Sequence, residues 1–554
     1  MVKLSVYKLV AFSFFFFLSS ALFAQSKEIR NVIVMIPDGT SSGLVSLARW
    51  YQFYHHPDRT ELAIDPYLCG MVRTHSSDAP IGDSAPTTSC YMTGQLTQTG
   101  FISMYPVKTA QDLMPIDSTR TYQPMVTVLE AAKHIHSKST GLVFTCEFPH
   151  ATPADCAAHW YKRSHYPVIA KQMVYNNIDV VMGGGRSFLS DEWRDYLVRQ
   201  GYEVIEDDID RFRKNEVAKT WTLFEPEALP YEIDRDTSRI PSLAEMTRKA
   251  ISLLRNNDNG FFLMVEGSKV DWAAHDNDAK TMITEFLAFD EAVAEALRFA
   301  ESDGHTVVIV VPDHGNSGIS IGNRNSNSGY DRLSLDTIIG PLTRYSISTY
   351  KMAEILNQHP YTELEHLFRR YYQIELSEAE KMLIYRAANY KNSPLAPDEQ
   401  DQSNSIFYTI PKILYDRTYI GFTTHGHTGE DVFLSVYHPG GDRPAGWNTN
   451  VDLHRYICRQ LGIEDRLPEL TSQWFTPHQA VFKNVDLLET EEREDGRVVL
   501  IIEKDNNRME IENNTNYILF NGVKITQSSV MVYVDRNHTF YIPGSLSSFF
   551  PDKY

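Results

Sequence analysis

The stretch 31-NVIVMIPDG-39 decides the fold. Residues 31–36 form an apolar, β-branched run without alternation, and Asp38-Gly39 then turn the chain with a carboxylate just past its end. A strand apolar on both sides is covered by helices on both faces, which is the signature of a parallel sheet. The phrase recurs in 260-GFFLMVEG-267, which delivers Glu266, and in 305-HTVVIVVPDHG-315, which delivers Asp313 and His314. Runs of the same kind lie at 141–146, 179–182 and 432–436, with helical periodicity between them at 246–254 and 282–300. The expectation is an α/β fold with a three-layer α/β/α core and a mostly parallel central sheet. Ligands of such sheets gather outside the carboxyl ends of the strands, where Asp38, Glu266 and Asp313 fall.

Two regions break this rhythm. Residues 319–419 read as a large insertion near the mouth of the site, with a helical piece at 350–357 and a capping box from Ser377 to Glu380. From about residue 468 the turn signals Asp495-Gly496, Asn521-Gly522 and 535–537 separate strand-like runs, so 468–554 is expected to be a small C-terminal β module. Residues 1–24 read as a signal peptide. Lys3 and Lys8 precede an apolar stretch of about 15 residues that ends in small side chains, too short to span a bilayer. Residues 25–467 are then the catalytic domain, and the expected location is periplasmic or secreted.

Losing Lys3 and Lys8 with the leader takes the formal charge from −19 to −21. That acidity argues against a nucleic-acid-binding surface. The five cysteines, Cys69, Cys90, Cys146, Cys156 and Cys458, are too few for a disulfide framework in 554 residues, and Cys90, Cys146 and Cys156, near the motif segments, read as buried small apolar side chains. The run after Cys156, through Ala157 and Ala158 to His159, reads as helix.

Asp, Glu and His are metal ligands, and they recur here at strand ends or on glycine-flanked turns: Asp38, then Glu266 with Asp271 and His275, then Asp313-His314, then His427 in 424-THGHTG-429. Each alone has a plain structural explanation, Asp38 as a turn former and Ser84 as a helix cap. Together they outline a polynuclear metal site. His159 reads as a packed core histidine and His425 as a neighbour of the ligand His427. Asp83-Ser84 stands before a stretch, 85–93, that reads as a helix whose N-terminus favours an anion.

These segments, in this order, resemble the bacterial alkaline phosphatases: I-P-D-G at Asp38, D-S-A at Ser84, H-A-T-P-A at Thr152, Arg163, V-E-G-S-K-V-D-W-A-A-H from Val265 to His275, P-D-H-G at Asp313 and H-T-G at His427. The likeness covers roughly residues 31–439. It implies that Asp271, His275 and His427 bind one Zn2+ and that Asp38, Asp313 and His314 bind a second. Asp38, Thr152 and Glu266 would hold a third ion, Mg2+, an all-oxygen set suited to a hard cation. It implies a phosphate monoester substrate, Ser84 as the nucleophile that becomes phosphoserine, Arg163 as the clamp on the phosphate, and a homodimer.

His150 and Trp272 stand where the best-known enterobacterial type has an acid and a lysine, so they are expected, with Asp83, to surround the ligands and to bear on the identity of the third metal. Competing readings are a phosphodiesterase, a sulfatase, or a phosphate-binding or adhesion protein on a non-catalytic scaffold. Sulfatases need C/S-x-P-x-R, and 84-SAPTT-88 has the proline without the arginine. The intact ligand set speaks against a non-catalytic scaffold.

Overall fold

The run beginning at Asn31 forms strand β1, Asn31–Pro37, buried along its whole length. The computed structural model describes residues 28–388 and 401–551. The leader expected at 1–24 lies outside the described residues.

With β1, the strands Leu68–Arg73 (β2), Ser139–Glu147 (β3), Val180–Gly184 (β4), Glu203–Glu206 (β5), Thr220–Leu223 (β6), Phe261–Gly267 (β7), Thr306–Val310 (β8), Val432–Tyr437 (β9) and Gly446–Thr449 (β10) form one ten-stranded sheet. Its order is β10-β2-β9-β8-β1-β7-β3-β4-β6-β5. Only β9 runs against its neighbours, β2 and β8, so the sheet is mostly parallel as its apolar runs required. Strands β2, β5, β6 and β10 carried no continuous apolar run; β2 is largely solvent-facing and β5 and β6 are four residues each.

Because successive side chains of a strand alternate, β1 feeds two cores. Ile33 and Met35 pack under helices Leu243–Leu254 and Ala279–Asp303, whereas Val32, Val34 and Ile36 face helices Ser84–Thr93, Val128–His136 and Asn450–Leu461. This is the three-layer arrangement. The one-turn helix Ala151–Ala154 ends before Cys156, so the helix expected from Cys156 to His159 is a turn followed by extended chain. His159 needs that turn, because its ring is fully buried between Ser103 O and the Glu130 carboxylate, each 3.1 Å away. The five cysteines are free thiols, four of them buried and Cys69 half-buried.

Among the described residues between His314 and His427 lie the helices Leu335–Thr343, Thr349–Leu356, Leu364–Tyr372, Glu378–Arg386, capped by Ser377 and Glu380, and Ile406–Tyr415. Its apolar side chains, among them Leu342, Met352, Phe368 and Ile410, extend the core under Ile33. An antiparallel ladder of Ser320–Ile321 with Ile420–Gly421 closes its base.

After helix Leu467–Trp474, a seven-stranded antiparallel sheet runs from Thr476–Pro477 to Thr539–Ile542. Three turn signals read from the sequence lie between its strands, and Asn506 and Asn514, both at positive φ, mark two more. This sheet has its own core around Leu500, Ile511 and Phe540. It also lends Val530, Val532, Val534 and Tyr541 to the core shared with the ten-stranded sheet.

Leu263 lies fully buried on β7, between β1 and β3. Leu263→Ala is expected to cost about 2–5 kcal/mol in denaturant unfolding, through lost burial and the cavity left behind. A chain ending at Leu467 retains all ten strands of the main sheet but uncovers the core beneath Val532. It is expected to melt at a lower temperature in calorimetry while still binding zinc.

Candidate metal centre

Strands β1, β7 and β8 are adjacent, with Ile36 opposite Glu266 and Met35 opposite Val310. Their carboxyl ends therefore emerge together. Val32, Val34 and Ile36, Phe262 and Met264, and Val307, Ile309 and Val311 share one face of the sheet, and Asp38, Glu266 and Asp313 continue those parities. The side toward which the carboxylates turn is the side of helix Ser84–Thr93. That helix is tied to the end of β8 by Tyr91, whose hydroxyl donates to Pro312 O at 2.9 Å. His427 comes from 113 positions beyond His314, and a two-residue antiparallel ladder, Gly315–Asn316 with His427–Thr428, stacks the two rings 3.8 Å apart.

Two trios predicted from the sequence form compact clusters, Asp271–His275–His427 and Asp38–Asp313–His314. In the first, His275 Nε2 lies 3.3 Å from Asp271 Oδ2 and 3.1 Å from His427 Nε2. In the second, His314 Nε2 lies 3.4 Å from Asp38 Oδ1 and 3.3 Å from Asp313 Oδ2. Each of these histidines directs Nδ1 at a backbone carbonyl: His275 at His425 O (2.7 Å), His427 at Gly82 O (2.8 Å) and His314 at Gly315 O (3.1 Å). With Nδ1 engaged by a carbonyl, Nε2 is the nitrogen that each ring turns inward and offers to a metal once any proton on it has left, as metal-binding imidazoles require. His425 is occupied in orienting His275: its Nδ1 donates to His275 O at 2.9 Å while its carbonyl accepts from the ligand ring.

The carboxylates are crowded and short of protein partners. Both oxygens of Asp38, Asp313 Oδ2 and Glu266 Oε1 are buried with no hydrogen-bond partner among the described residues. Burial first, then the charges of Asp313, Asp271 and Glu266, push Asp38 well above the usual carboxylate range. Burial likewise pushes Glu266 up to about 8. For His275, burial works downward, but the Asp271 carboxylate outweighs it and raises the imidazole to about 9. The shared cause is uncompensated negative charge, which a divalent cation would offset. The donors are two nitrogens with carboxylate oxygen in one cluster, and one nitrogen with two carboxylates in the other; both are sets that zinc accepts.

Ser84 opens its helix, with Oγ 3.3 Å from His314 Nε2. Asp83, at the N-cap, pairs with the Arg163 guanidinium, whose Nη2 also donates to His150 Nε2 at 3.2 Å. Burial alone would raise Asp83, yet Arg163 holds it below its ordinary value. Arg163 is thus held on the residue before Ser84 and on His150, and gripping an anion would require it to exchange one of these partners. Trp272 stands edge-on to His150 with ring centres 5.8 Å apart. Thr152 is buried beside this group with Oγ1 unpartnered among the described residues.

Some participants were not anticipated. Asn316 Nδ2 donates to Asp271 Oδ1 at 2.7 Å, and Ser41 Oγ accepts from Asn316 N at 3.1 Å while donating to the Glu430 carboxylate. Their signal was proximity: Asn316 follows His314 by two residues and Glu430 follows His427 by three. Cys146 is buried in the core, as its reading as a packing residue expected, and in addition lies in a third compact group with His150 and Glu266.

Gly39 has φ +61°, and a Cβ there would lie 2.2 Å from Asp271 Oδ1. Gly39→Ala is expected to weaken zinc binding by displacing Asp271, measured as metal content of the folded protein. A further expectation follows from the proton on His275. An ion must displace it, so apparent zinc affinity of the ion-free protein should rise with pH by up to about tenfold per unit, levelling near pH 9. Competition titrations with a chelator of known affinity measure this slope.

Comparison with known proteins agrees with this geometry. The family model described as alkaline phosphatase matches residues 29–462. Alkaline phosphatase 3 of Bacillus subtilis (strain 168) is 33% identical over 452 residues, covering 78% of this chain and 89% of its own. Among solved structures, the alkaline phosphatase of Thermus thermophilus matches with a TM-score of 0.67 at 25% identity, covering 79% of this chain and 92% of that one. The cold-active enzyme of a psychrophilic Shewanella sp. matches at 0.66 and 25%, covering 78% and 99%. With its carboxylates and imidazoles converging on one side of a mostly parallel sheet, the chain belongs to the alkaline phosphatase family, a family of phosphomonoesterases.

Proposed function

We propose that the protein hydrolyses phosphate monoesters through a phosphoserine on Ser84, with Zn2+ held by Asp271, His275 and His427 and a second Zn2+ held by Asp38, Asp313 and His314. The observation that carries this reading is the inward aim of the three Nε2 atoms toward buried, unpartnered carboxylates, with Ser84 Oγ at their edge. Asp38, Thr152 and Glu266 offer oxygen donors for a third cation, and an all-oxygen set there would select Mg2+. When bound, the cations supply positive charge that lowers the cost of ionising Ser84 and of placing a phosphate dianion beside four acidic side chains.

Ser84 Oγ forms the new P–O bond as the substrate's alkoxide leaves on the opposite side of phosphorus. Water then displaces Ser84 to release phosphate. His314 Nε2 lies 3.3 Å from Ser84 Oγ, but with a cation on its lone pair it would not be free to act as a base, so the Ser84 proton would pass to water. The N-terminal N–H groups of helix Ser84–Thr93 and the Arg163 guanidinium suit a phosphate dianion. Secretion belongs to the proposal through the leader at 1–24. Among the described residues no helix is long and apolar enough to cross a membrane.

The deciding experiment is phosphate release from an aryl phosphate by the purified protein, with and without chelator, beside the matched diester and sulfate. Monoester turnover that stops on chelation and returns with zinc supports the reading; preference for the diester or sulfate overturns it. Ser84→Ala is expected to retain its metals but to lose turnover by orders of magnitude, with no label trapped after acid quench. Arg163→Ala should weaken inhibition by inorganic phosphate by about 1.5–3 kcal/mol for each charge-assisted hydrogen bond lost.

A further inference from the structure

We infer that Cys146 supplies a thiolate to the third cation position, making it a sulfur–nitrogen–oxygen site for zinc and similar borderline-soft divalent ions in place of magnesium. The inference rests on the phosphatase reading and concerns residues of this chain that the all-oxygen set does not include.

Three observations point to it. Cys146 Sγ, His150 and Glu266 bring ligand atoms within 4.8 Å of one another, each as part of a buried residue. Cys146 follows Leu142 and Phe144 on the face of β3 that adjoins Phe262 and Met264 of β7, so the strand places its sulfur beside Glu266 rather than among carbon atoms alone. There Sγ donates to Glu266 Oε2 at 3.4 Å, while its own backbone N–H is held by Ser268 Oγ at 3.1 Å. Finally, His150 Nδ1, Glu266 Oε1 and Thr152 Oγ1 are all buried without a hydrogen-bond partner among the described residues. Glu266 Oε1 and Thr152 Oγ1 also belong to the all-oxygen set, but His150 Nδ1 does not, and it is the orphan that asks for a softer ion beside the thiol.

The donor chemistry selects the ion. Magnesium requires near-octahedral oxygen and gives up its water reluctantly, so sulfur and imidazole are poor ligands for it. Zinc takes thiolate, imidazole and carboxylate together in a four-coordinate site. On binding, the Cys146 S–H bond breaks, the sulfur keeps the electron pair as its donor pair, and the proton leaves to solvent; nothing is oxidised or reduced. Coordination through His150 Nδ1 puts the remaining ring proton on Nε2, which now accepts from Arg163. Arg163 must then release that contact, and a phosphate oxygen is an available replacement. The third ion and the anion clamp would in this way be coupled through one imidazole.

The test uses the full chain stripped of metal and reloaded with Co2+ as a spectroscopic probe, and separately with a mixture of Zn2+ and excess Mg2+ followed by elemental analysis. Wild type is expected to show sulfur-to-cobalt charge-transfer absorption in the near ultraviolet and to retain three zinc ions per chain from the mixture. Cys146→Ser, close in size and with a hard oxygen, should lose the band and exchange one zinc for one magnesium; Cys146→Ala should lose the band and one ion. Three bound cobalt ions in wild type without the band, or two zinc ions and one magnesium from the mixture, overturn the inference and leave the phosphatase reading standing. A band that survives in Cys146→Ser overturns it too, by assigning the sulfur elsewhere. Failure to bind even two ions removes the phosphatase reading along with it. The wild-type spectrum decides the matter even if a variant does not fold.

Discussion

Everything at this site depends on holding four like charges in a space without water. Asp38, Glu266, Asp271 and Asp313 are buried together, and two unit charges 4 Å apart cost about 4 kcal/mol at the effective dielectric of a protein surface, more when desolvated. Flexible side chains would relieve this by swinging apart. Here three of the four are fixed at the ends of adjacent, fully buried strands, and Asp271 is trapped between Asn316 and the bare Cα of Gly39. The repulsion can be cancelled only by positive charge delivered to the spot, from protons or from metal ions. Because cations bind the folded arrangement and not the open chain, their affinity adds directly to folding stability.

The nucleophile is positioned by a separate set of contacts. Helix Ser84–Thr93 is braced by Tyr91 on Pro312 O and by Ser89, whose hydroxyl donates to the Asp155 carboxylate at 2.6 Å and accepts from Ser103 N at 2.7 Å. Its end is fixed by Gly94 in the left-handed conformation, with the ring of His454 where a Cβ would stand. None of these anchors comes from the helical insertion. The helix and the residues before it meet the charged centre at three points: Tyr91 on Pro312 O beside Asp313, His427 Nδ1 on Gly82 O, and Ser84 Oγ beside His314 Nε2.

The sequence showed the strands that carry ligands because such strands are buried on both faces and so are continuously apolar; Asn31–Pro37 and Phe261–Gly267 could be read to within a residue or two. It showed less of the sheet's margins. Leu68–Arg73 is half exposed, and Glu203–Glu206 is too short for periodicity to register. Ligand types were legible from Asp and His at strand ends. The supports were not, since Asn316, Ser41 and Glu430 meet only through the ladder that brings residue 427 beside 316. Cys146 was legible as a small core residue, but its neighbour was not, since only the pairing of β3 with β7 brings Glu266 beside it. The helix expected through His159 failed because the buried pairing of His159 with Glu130, a tertiary contact, overrode a local pattern.

The closed base of the insertion carries one more implication. Ser320–Ile321 pairs with Ile420–Gly421, and a few residues inward Gly315–Asn316 pairs with His427–Thr428. Both ends of the long excursion are thus pinned side by side before the chain re-enters the centre, and beyond the clasp Tyr408 of the insertion packs its ring 4.3 Å from that of His425, next to the ligands. Such a neck is a natural splice point. The helical cap could change in length beyond that neck while the pairing of Gly315–Asn316 with His427–Thr428 stays in place, as a lens is exchanged on a fixed mount.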